Sequence, residues 1–237
     1  MEVLRNKSQI SNARKKLVKS GASVVESPLW FLMRKLGLVQ GMAIGDRLKS
    51  WDVLLTLNFL GNHVRKSDSI LDIGCYASET IVALRKLGYS ELTGVDLNPN
   101  LKKMPCQNSI RYEIGDFKRT NFKDASFQAI TSISVIEHGF DGQSLLKEMS
   151  RLLKQGGYFI ASFDYWPEKV DTSGIQYFGM DWKIFSKDEV VNFVAEAADY
   201  GLFPVGEILP ESKKKPIKCG GKQYTFAWLA LTKSGRV

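Results

Sequence analysis

The sequence predicts an α/β fold: a doubly wound, mostly parallel seven-stranded sheet with an antiparallel last strand, helices on both faces and extra N-terminal helices. Two observations lead to this prediction. From residue 69 onward, short apolar runs alternate with amphipathic stretches, which is typical of βα units. Near the C-terminus, two β-rich runs are separated only by a basic loop over residues 210–222, which favours a hairpin over a helical crossover.

The individual elements follow the apolar pattern. Runs that are rich in β-branched and aromatic residues predict strands at residues 69–73, 91–95, 110–114, 127–133, 157–163, 203–209 and 224–232. Stretches of helical period predict helices at residues 79–87, 142–153 and 187–200. The last strand follows a short connection, so we expect it to run antiparallel to its neighbour.

A different pattern precedes the sheet. Residues 1–64 are predicted to form a basic arm and helices that act as a lid or flank, and residues 65–237 to form the main domain. The arm, residues 1–20, is expected to be frayed or helical. Further helices are expected at residues 27–38 and about 49–64. The helix around Trp30 is expected to be an ordinary helix packed on the rest of the protein. The alternatives are a lid over the cofactor and a helix that lies on a membrane surface.

Composition narrows the class of protein. The 237 residues are 44% hydrophobic and 24% charged, which is typical of a globular chain with a sizeable core. The longest apolar run near the N-terminus, residues 29–33, is far shorter than the ~20 residues that span a bilayer. Three cysteines without metal-type spacing fit a reducing compartment. We therefore expect a cytoplasmic protein without a structural metal or a transmembrane segment.

The net charge of +8 is concentrated at the two ends of the chain. Residues 1–49 carry ten basic residues against three acidic ones, and the run at residues 213–218 adds a basic loop. Such ends can contact nucleic acid, acidic lipid or an anionic substrate, but solvated surface lysines are the simpler interpretation. Because no nucleic-acid module is recognisable, a nucleic-acid partner is not expected. Peripheral membrane contact stays open, and no oligomeric state is predicted.

The chemistry begins where the first strand of the sheet ends. In residues 69–80 an apolar run stops at Asp72 and Gly74 and then opens a helix. In a doubly wound sheet, this turn lies at the carboxyl edge, where ligands bind. Gly74 permits backbone angles that other residues avoid, and Ser78 can cap the helix, whose free N–H groups favour a ligand carboxylate.

An acid ends the second strand, since Asp96 follows Gly74 by 22 residues. An acid about 20 residues after the glycine turn is where Rossmann-type sites bind the two hydroxyls of a ribose. A carboxylate is suited to this role because it accepts from both hydroxyls at once. The two signals together, each in its βα context, predict a nucleoside site.

These residues belong to an ordered set of motifs. The segments 71–75 (LDIGC), 94–99 (GVDLNP), 115–117 (GDF), 134–138 (SVIEH) and 151–157 (RLLKQGG) resemble the successive motifs of class I S-adenosylmethionine-dependent methyltransferases, a Rossmann-like domain family. The similarity covers about residues 69–163, and residues 184–189 resemble a later helix start of the family. The resemblance implies S-adenosyl-L-methionine as cofactor. It also implies contacts to its methionine, ribose, adenine and sulfonium parts from Asp72, Gly74, Tyr76, Ser78, Asp96, Leu97, Asp116, Phe117, Ser132 and Ser134.

The chain departs from the family pattern at a few positions. The family usually has glycine at the positions of Tyr76 and Ser78 and an acid at that of Gln128. Either the Tyr76 ring turns aside and walls the pocket, which we favour, or it impairs cofactor binding. A nicotinamide site is disfavoured, because a Gly-x-Gly-x-x-Gly turn would require glycine where this chain has Tyr76 and Glu79.

The acceptor is expected above the ends of the fourth and fifth strands, along residues 137–143 and 164–182. The aromatic candidates for its walls are Tyr165, Trp166, Tyr177 and Trp182, although each ring could instead pin the loop to the core. Positioning can supply much of the catalysis of an in-line methyl transfer, so a base is optional. The first choice for a base is His138, and the alternatives are Glu137, Asp141 and Asp164.

The sequence therefore predicts an enzyme that transfers a methyl group from S-adenosylmethionine to an oxygen, nitrogen or carbon atom of a small molecule. The alternative is a catalytically inactive methyltransferase-fold protein with a binding or regulatory role. A third hypothesis is a basic binding protein that uses its termini to hold nucleic acid or anionic lipid.

Overall fold

The protein is described by a computed structural model over residues 1–26, 28–38 and 42–234. Within these residues, nine strands form one sheet and two more form a separate ribbon. The strands of the large sheet are β1 (Glu2–Val3), β2 (Ile70–Ile73), β3 (Leu92–Asp96), β4 (Arg111–Ile114), β5 (Phe127–Ile133), β6 (Leu153–Tyr165), β9 (Leu202–Pro204), β10 (Ile217–Cys219) and β11 (Lys222–Lys233). The ribbon pairs β7 (Gln176–Tyr177) with β8 (Met180–Asp181).

Helices cover both faces of the sheet. They are α1 (Lys7–Lys19), α2 (Pro28–Lys35), α3 (Ser50–His63), α4 (Glu79–Lys86), α5 (Gly142–Leu152) and α6 (Lys187–Asp199), with short 3₁₀ turns at Arg47–Lys49 and Pro99–Lys103. Local sequence sets several helix starts. Asn6 with Gln9 and Ser186 with Glu189 form capping boxes at α1 and α6.

Strand order places a reversal of the chain path at the centre of the sheet. The order is β4-β3-β2-β5-β6-β11, with β2 parallel to both β3 and β5. The chain leaves β2 toward β3 and β4 and then returns to β5 on the other side of β2. Ligands of doubly wound sheets bind beyond the carboxyl ends of the strands at such a reversal. The predicted α/β fold is confirmed, and so is its antiparallel last strand, since β11 runs antiparallel to β6.

The outer edge of β11 differs from the prediction. The expected strand at residues 203–209 is reduced to β9, because Gly206 adopts a left-handed φ of +77° and turns the chain away. The N-terminal strand β1 pairs with another stretch of that edge, with Glu2 opposite Trp228 and Val3 opposite Ala227. Of the two alternatives predicted for residues 1–20, the structure shows the helical one, with the short strand β1 before α1. Strand β10, absent from the prediction, forms a hairpin with β11.

The two faces of the sheet are covered by different helices. Side chains alternate along β6, so that Ile160, Ser162 and Asp164 face α3 while Phe159 and Phe163 face the opposite side. The α3 side therefore receives polar side chains at the carboxyl end of the sheet. The other face is packed mainly with apolar residues of α5, α6 and the strands.

Helix α1 packs on α3, and α3 packs on the sheet and on α4. The Arg14 guanidinium forms two hydrogen bonds to the Glu79 carboxylate, of 2.6 and 2.7 Å, and a third to the Ser50 hydroxyl at 3.0 Å. In α2, Leu29 and Leu32 are exposed to solvent, whereas Ser27 and the side chain of Trp30 lie outside the described residues. Among the helices that the structure describes, none has the length and apolar character needed to cross a bilayer.

Candidate active site

The glycine turn lies at the β2–β3 corner, which we define as residues 72–78 and 96–98. The Gly74 N–H donates to the Val95 carbonyl at 2.9 Å, and Gly74 has a φ of +65°. A Cβ atom at this position would lie 2.3 Å from a methyl group of Val135. The turn thus requires glycine both for its backbone angles and for its close contact with the loop after β5.

Asp96 connects the second strand to this turn. Its Oδ2 accepts from the Tyr76 N–H at 2.9 Å, and its Oδ1 accepts from the Asn98 N–H at 2.8 Å. Each carboxylate oxygen retains a lone pair, so the half-buried group can still accept from ligand hydroxyls. Leu97, the next residue, is 55% exposed at the same strand end. Asp96 therefore lies beside the glycine turn, as the spacing predicts.

Asp72 is buried under the turn. Its Oδ1 accepts from the Thr131 hydroxyl at 2.5 Å. Burial raises the pKa of Asp72 to about 7, the Thr131 and Ser78 hydroxyls oppose this rise, and the charge of Asp96 adds to it. A carboxyl group with a pKa near 7 loses its proton readily when a cation, such as the ammonium of an amino acid, binds beside it.

The remainder of the turn is fixed mainly through its backbone. The Tyr76 ring is half-buried and packs against the apolar cluster on the α3 face, while its N–H holds Asp96. Ala77 has a φ of +60°, and its carbonyl accepts from the Gly45 N–H at 2.8 Å. The Ser78 hydroxyl caps α4 by accepting from the Thr80 N–H. The segment around Gly45 thus lies directly against the turn.

The other predicted cofactor residues divide into two groups. Residues 115–117 lie beside Asp96, since the Gly115 N–H donates to its carbonyl at 3.0 Å, and the Asp116 carboxylate accepts from the Lys118 N–H. Phe117 packs partly against the α5 face. The two serines lie elsewhere. Ser132 pairs with Ile73 and Ala161, so its side chain points to the α5 face, away from Asp72.

Ser134 directly follows β5 and has a left-handed φ of +55°. Its N–H donates to the Ser162 carbonyl at 2.9 Å, and its hydroxyl has no hydrogen-bond partner among the described residues. Gln128, by contrast, begins β5 and donates to the Gly156 carbonyl. This departure from the family pattern therefore lies at the opposite edge of the sheet from the glycine turn.

A second group of polar residues lies at the β5–β6 corner, which we define as Lys49, Asp52, Glu137, Asp164 and Trp182. The three acids are at most 4% exposed. Asp52 accepts from the Ser162 hydroxyl at 2.9 Å, and the Trp182 indole N–H donates to Asp164 at 2.8 Å. The Lys49 ammonium lies 3.9 Å from Asp164. Three carboxyl groups thus share a buried space with one ammonium.

Burial raises the pKa values of the three acids in this corner. It raises the pKa of Glu137 well above the ordinary value, and the charge of Asp164 adds to that rise. The pKa of Asp52 rises to about 6 through burial, while the charge of Lys49 opposes the rise. The pKa of Asp164 is likewise raised by burial and lowered by Lys49. Glu137 is accordingly able to hold a proton near neutral pH.

His138 adjoins Glu137 and carries an unpaired ring nitrogen. Its Nδ1 is buried without a hydrogen-bond partner among the described residues. Burial and the charge of Lys49 lower the pKa of His138 to about 4, so the ring is neutral at pH 7. Its ring centroid lies 6.1 Å from that of Tyr177 and 5.4 Å from that of Phe178. Three of the four predicted base candidates, His138, Glu137 and Asp164, therefore lie together at the β5–β6 corner.

The predicted acceptor-binding aromatics separate in space. Tyr177 and Trp182 contact each other edge to face at 5.3 Å and lie near His138 and Asp164. Tyr165 packs in the α5-face cluster instead, and its hydroxyl donates to the Pro210 carbonyl. The Trp166 indole donates to Glu168, and the Lys215 ammonium lies 4.3 Å from its ring. Tyr165 and Trp166 are therefore not included in the corner.

Several residues of the corner are not among the sequence predictions. Lys49 ends the 3₁₀ turn before α3 and Asp52 lies in the first turn of α3, while Tyr224 and Phe226 of β11 adjoin the corner through Trp182 and Lys49. One signal could have found Asp52, because an acid within the apolar run of α3 is costly to bury without a specific role. Asp141, an alternative base, caps α5 by accepting from the Ser144 N–H and lies outside the corner.

Comparisons with known proteins agree with this geometry. Residues 71–161 match a family model described as a methyltransferase domain. The chain is 31% identical over 105 residues to the demethylmenaquinone methyltransferase of Staphylococcus haemolyticus, which covers 41% of this chain and 44% of the relative. It is 26% identical over 113 residues to the norajmaline N-methyltransferase of Rauvolfia serpentina, which covers 44% of this chain and 39% of the relative. The chain thus spans less than half the length of these relatives.

A solved structure shares the fold. The geranyl diphosphate C-methyltransferase of Streptomyces coelicolor A3(2) is 17% identical, with a TM-score of 0.54, over 80% of this chain and 84% of that one. The strand order, the glycine turn beside Asp96 and the matched domain all indicate the same relationship. Residues 71–161 form a methyltransferase domain of the class I S-adenosylmethionine-dependent type.

Proposed function

We propose that the protein binds S-adenosylmethionine at the β2–β3 corner and transfers its methyl group to a small molecule at the β5–β6 corner. The observation that carries the proposal is the hydrogen bond from the Tyr76 N–H to Asp96, which joins two strand ends at the reversal point of the sheet. This hydrogen bond holds the Asp96 carboxylate, the proposed ribose ligand, next to the turn at Gly74, a position where only glycine fits.

The residues of the β2–β3 corner fit the parts of the cofactor. Asp96 would accept from the ribose hydroxyls, and the exposed Leu97 would pack against the adenine together with residues 115–117. Asp72 would receive the methionine ammonium, because its raised pKa falls when a cation binds beside it. The N–H groups at the start of α4 would receive the carboxylate.

When bound, the cofactor supplies a methyl group on a sulfonium, so that a good leaving group is already present. The protein then has to bind the acceptor, exclude water and hold a proton if the acceptor loses one. Glu137 would hold that proton, because its pKa is raised and its buried Oε2 makes no hydrogen bond in the described structure, whereas the lowered pKa of His138 makes that residue the weaker base. Tyr177 and Trp182 form apolar walls beside them. Water exclusion strengthens each polar contact within the corner.

Calorimetry with S-adenosylmethionine and with S-adenosylhomocysteine tests the cofactor site. We expect saturable binding of both, weakened about 10- to 100-fold in Asp96→Ala, because hydrogen bonds to a charged group are lost. Asp124→Ala is the matched control: its side chain is 79% exposed at the opposite edge of the sheet, and cofactor affinity should not change. Absence of binding to the wild type at millimolar cofactor would refute the proposal.

A further inference from the structure

The β5–β6 corner has an excess of acidic groups. Within the described residues, Lys49 is the cation whose charge acts on all three carboxyls of the corner. His138 adds no positive charge at neutral pH, since its pKa is lowered. Buried carboxyls are costly unless a cation or hydrogen bonds compensate them. The corner is therefore arranged to receive additional positive charge and to repel an anionic group.

All three carboxyls have a buried oxygen without a hydrogen bond among the described residues, and that of Asp164, Oδ1, lies 3.9 Å from the Lys49 ammonium. Asp52 Oδ1 and Glu137 Oε2 are buried and make no hydrogen bond to any residue that the structure describes. Asp52 is 0% and Glu137 1% exposed, so water at the surface does not satisfy them. Buried polar atoms without partners are rare in folded proteins and indicate the place of a ligand or of ordered water. Here the missing partner is a hydrogen-bond donor.

Aromatic rings line the same space. The Lys49 ammonium lies 3.6 Å from the centroid of the Phe226 ring. Tyr224 lies between this ring and Trp182, with centroid distances of 6.1 and 5.6 Å. Aromatic faces attract organic cations, and the effect is greatest where water is excluded. The protein's own lysine thus shows how an ammonium is held here, between a carboxylate and a ring.

We propose that the methyl acceptor is an organic amine, bound as its ammonium form against Glu137 and Asp52 and beside the rings of Trp182 and Tyr224. The inference rests on the proposed methyl transfer and names its acceptor class. A metal ion fits less well, since no group of three His, Cys, Asp or Glu side chains in the described part of the chain is arranged to hold one. An alcohol brings no positive charge, so the acids would keep their raised pKa values, whereas an ammonium stabilises their charged form.

The chemistry follows from the same groups. The bound ammonium loses one proton to the Glu137 carboxylate, which leaves a neutral amine with a lone pair. The lone pair forms a bond to the methyl carbon while the carbon–sulfur bond breaks and its electron pair goes to sulfur. The product is a methylated ammonium, and the proton on Glu137 passes to solvent. The raised pKa of Glu137 suits a group that accepts this proton near neutral pH.

Matched acceptor pairs test the inference. Benzylamine, 2-phenylethylamine and hexylamine are compared with the alcohols of the same carbon skeletons, with S-adenosylhomocysteine formation as the readout. At least one amine should be methylated about 100-fold faster than its alcohol, because a site with unpaired acceptor atoms rejects the analogue that lacks the charged donor. Methylation of an alcohol in preference to every amine would overturn the inference.

A binding measurement decides the case in which no member of the panel is methylated. Benzyltrimethylammonium carries the cation but has no lone pair, and its binding is measured by calorimetry with S-adenosylhomocysteine present. We expect saturable binding that is about 10- to 100-fold weaker in Glu137→Gln. The control is Glu211→Gln, whose side chain is 73% exposed, and it should bind like the wild type. No binding at millimolar ligand, or binding unaffected by Glu137→Gln, would overturn the inference.

The two proposals fail in different ways. If the cofactor does not bind, the proposed methyl transfer is refuted whatever the ammonium does. If the cofactor binds normally and Asp96→Ala weakens it, while the ammonium fails to bind, the methyltransferase proposal stands and only the amine assignment is lost.

Discussion

The two corners at the carboxyl edge of the sheet are built by different means. The β2–β3 corner relies on backbone shape: a left-handed Gly74, N–H groups that hold Asp96, and the start of α4. The β5–β6 corner relies on side chains: three buried acids, one lysine and a row of aromatic rings. The first arrangement suits a cofactor that the whole family shares, whereas the second can change with the acceptor while the fold is kept.

The largest effect is expected from Gly74→Ala, which tests whether the β2–β3 corner depends on shape. The added methyl group must displace Val135 and adopt a positive φ, which together should cost about 2–4 kcal/mol of unfolding free energy and abolish cofactor binding. Urea denaturation and calorimetry measure the two effects. Gly156→Ala is the control, because Gly156 has a similar φ of +69° but open space around it.

Gly156→Ala should therefore cost only about 1–2 kcal/mol, from the backbone angle alone. Equal losses in the two variants would show that the contact with Val135 is unimportant. Normal cofactor binding by Gly74→Ala would show that the corner tolerates a different turn, and the comparison between the corners would lose its basis.

An intermediate effect is expected on the pH dependence of stability. The pKa of Asp72 is raised to about 7 in the folded state by burial, so the folded protein binds more protons than the unfolded chain between about pH 4 and pH 7. The contribution of this group therefore falls as pH rises through that window. From about pH 5 to pH 7.5 the loss amounts to roughly 2 kcal/mol.

Asp72→Asn should remove this part of the dependence. Urea denaturation at the two pH values gives the unfolding free energy of each protein, and the variant should lose less stability than the wild type on going to the higher pH. Asp124→Asn, an exposed site, should behave like the wild type. An unchanged pH dependence in Asp72→Asn would contradict the assigned role of burial at this position.

The smallest effect is expected within the aromatic wall. Trp182→Phe keeps a ring but removes the N–H that donates to Asp164, so we expect KM for the acceptor to rise about 10-fold, equivalent to one lost hydrogen bond to a charged group. Tyr165→Phe is the comparison, since among the described residues its hydroxyl donates to the Pro210 carbonyl, on the other side of the sheet from the corner. A larger rise in KM for Tyr165→Phe than for Trp182→Phe would indicate that Tyr165 contacts the acceptor after all.

Local patterns predicted most of the fold. Helices α4, α5 and α6 and strands β2 to β5 lie within a few residues of their predicted bounds. Each of these elements has its own apolar period, and each of the helices also has a capping residue at its start. The edge of the sheet was predicted less well. Strand β1 pairs with Trp228 and Ala227 at the other end of the chain, and a pattern of hydrophobicity carries no information about such a distant partner.

The amino-acid sequence by itself determined the β2–β3 corner. Its parts lie in adjacent βα units, and parallel strands bring their carboxyl ends to one edge, so the spacing of Gly74 and Asp96 was sufficient. Only the tertiary structure decided the β5–β6 corner. Asp52 and its partner Ser162 are 110 residues apart, and they meet because α3 packs across the face to which alternate side chains of β6 point. The same packing removes water from the acids, and their altered charge follows from that burial.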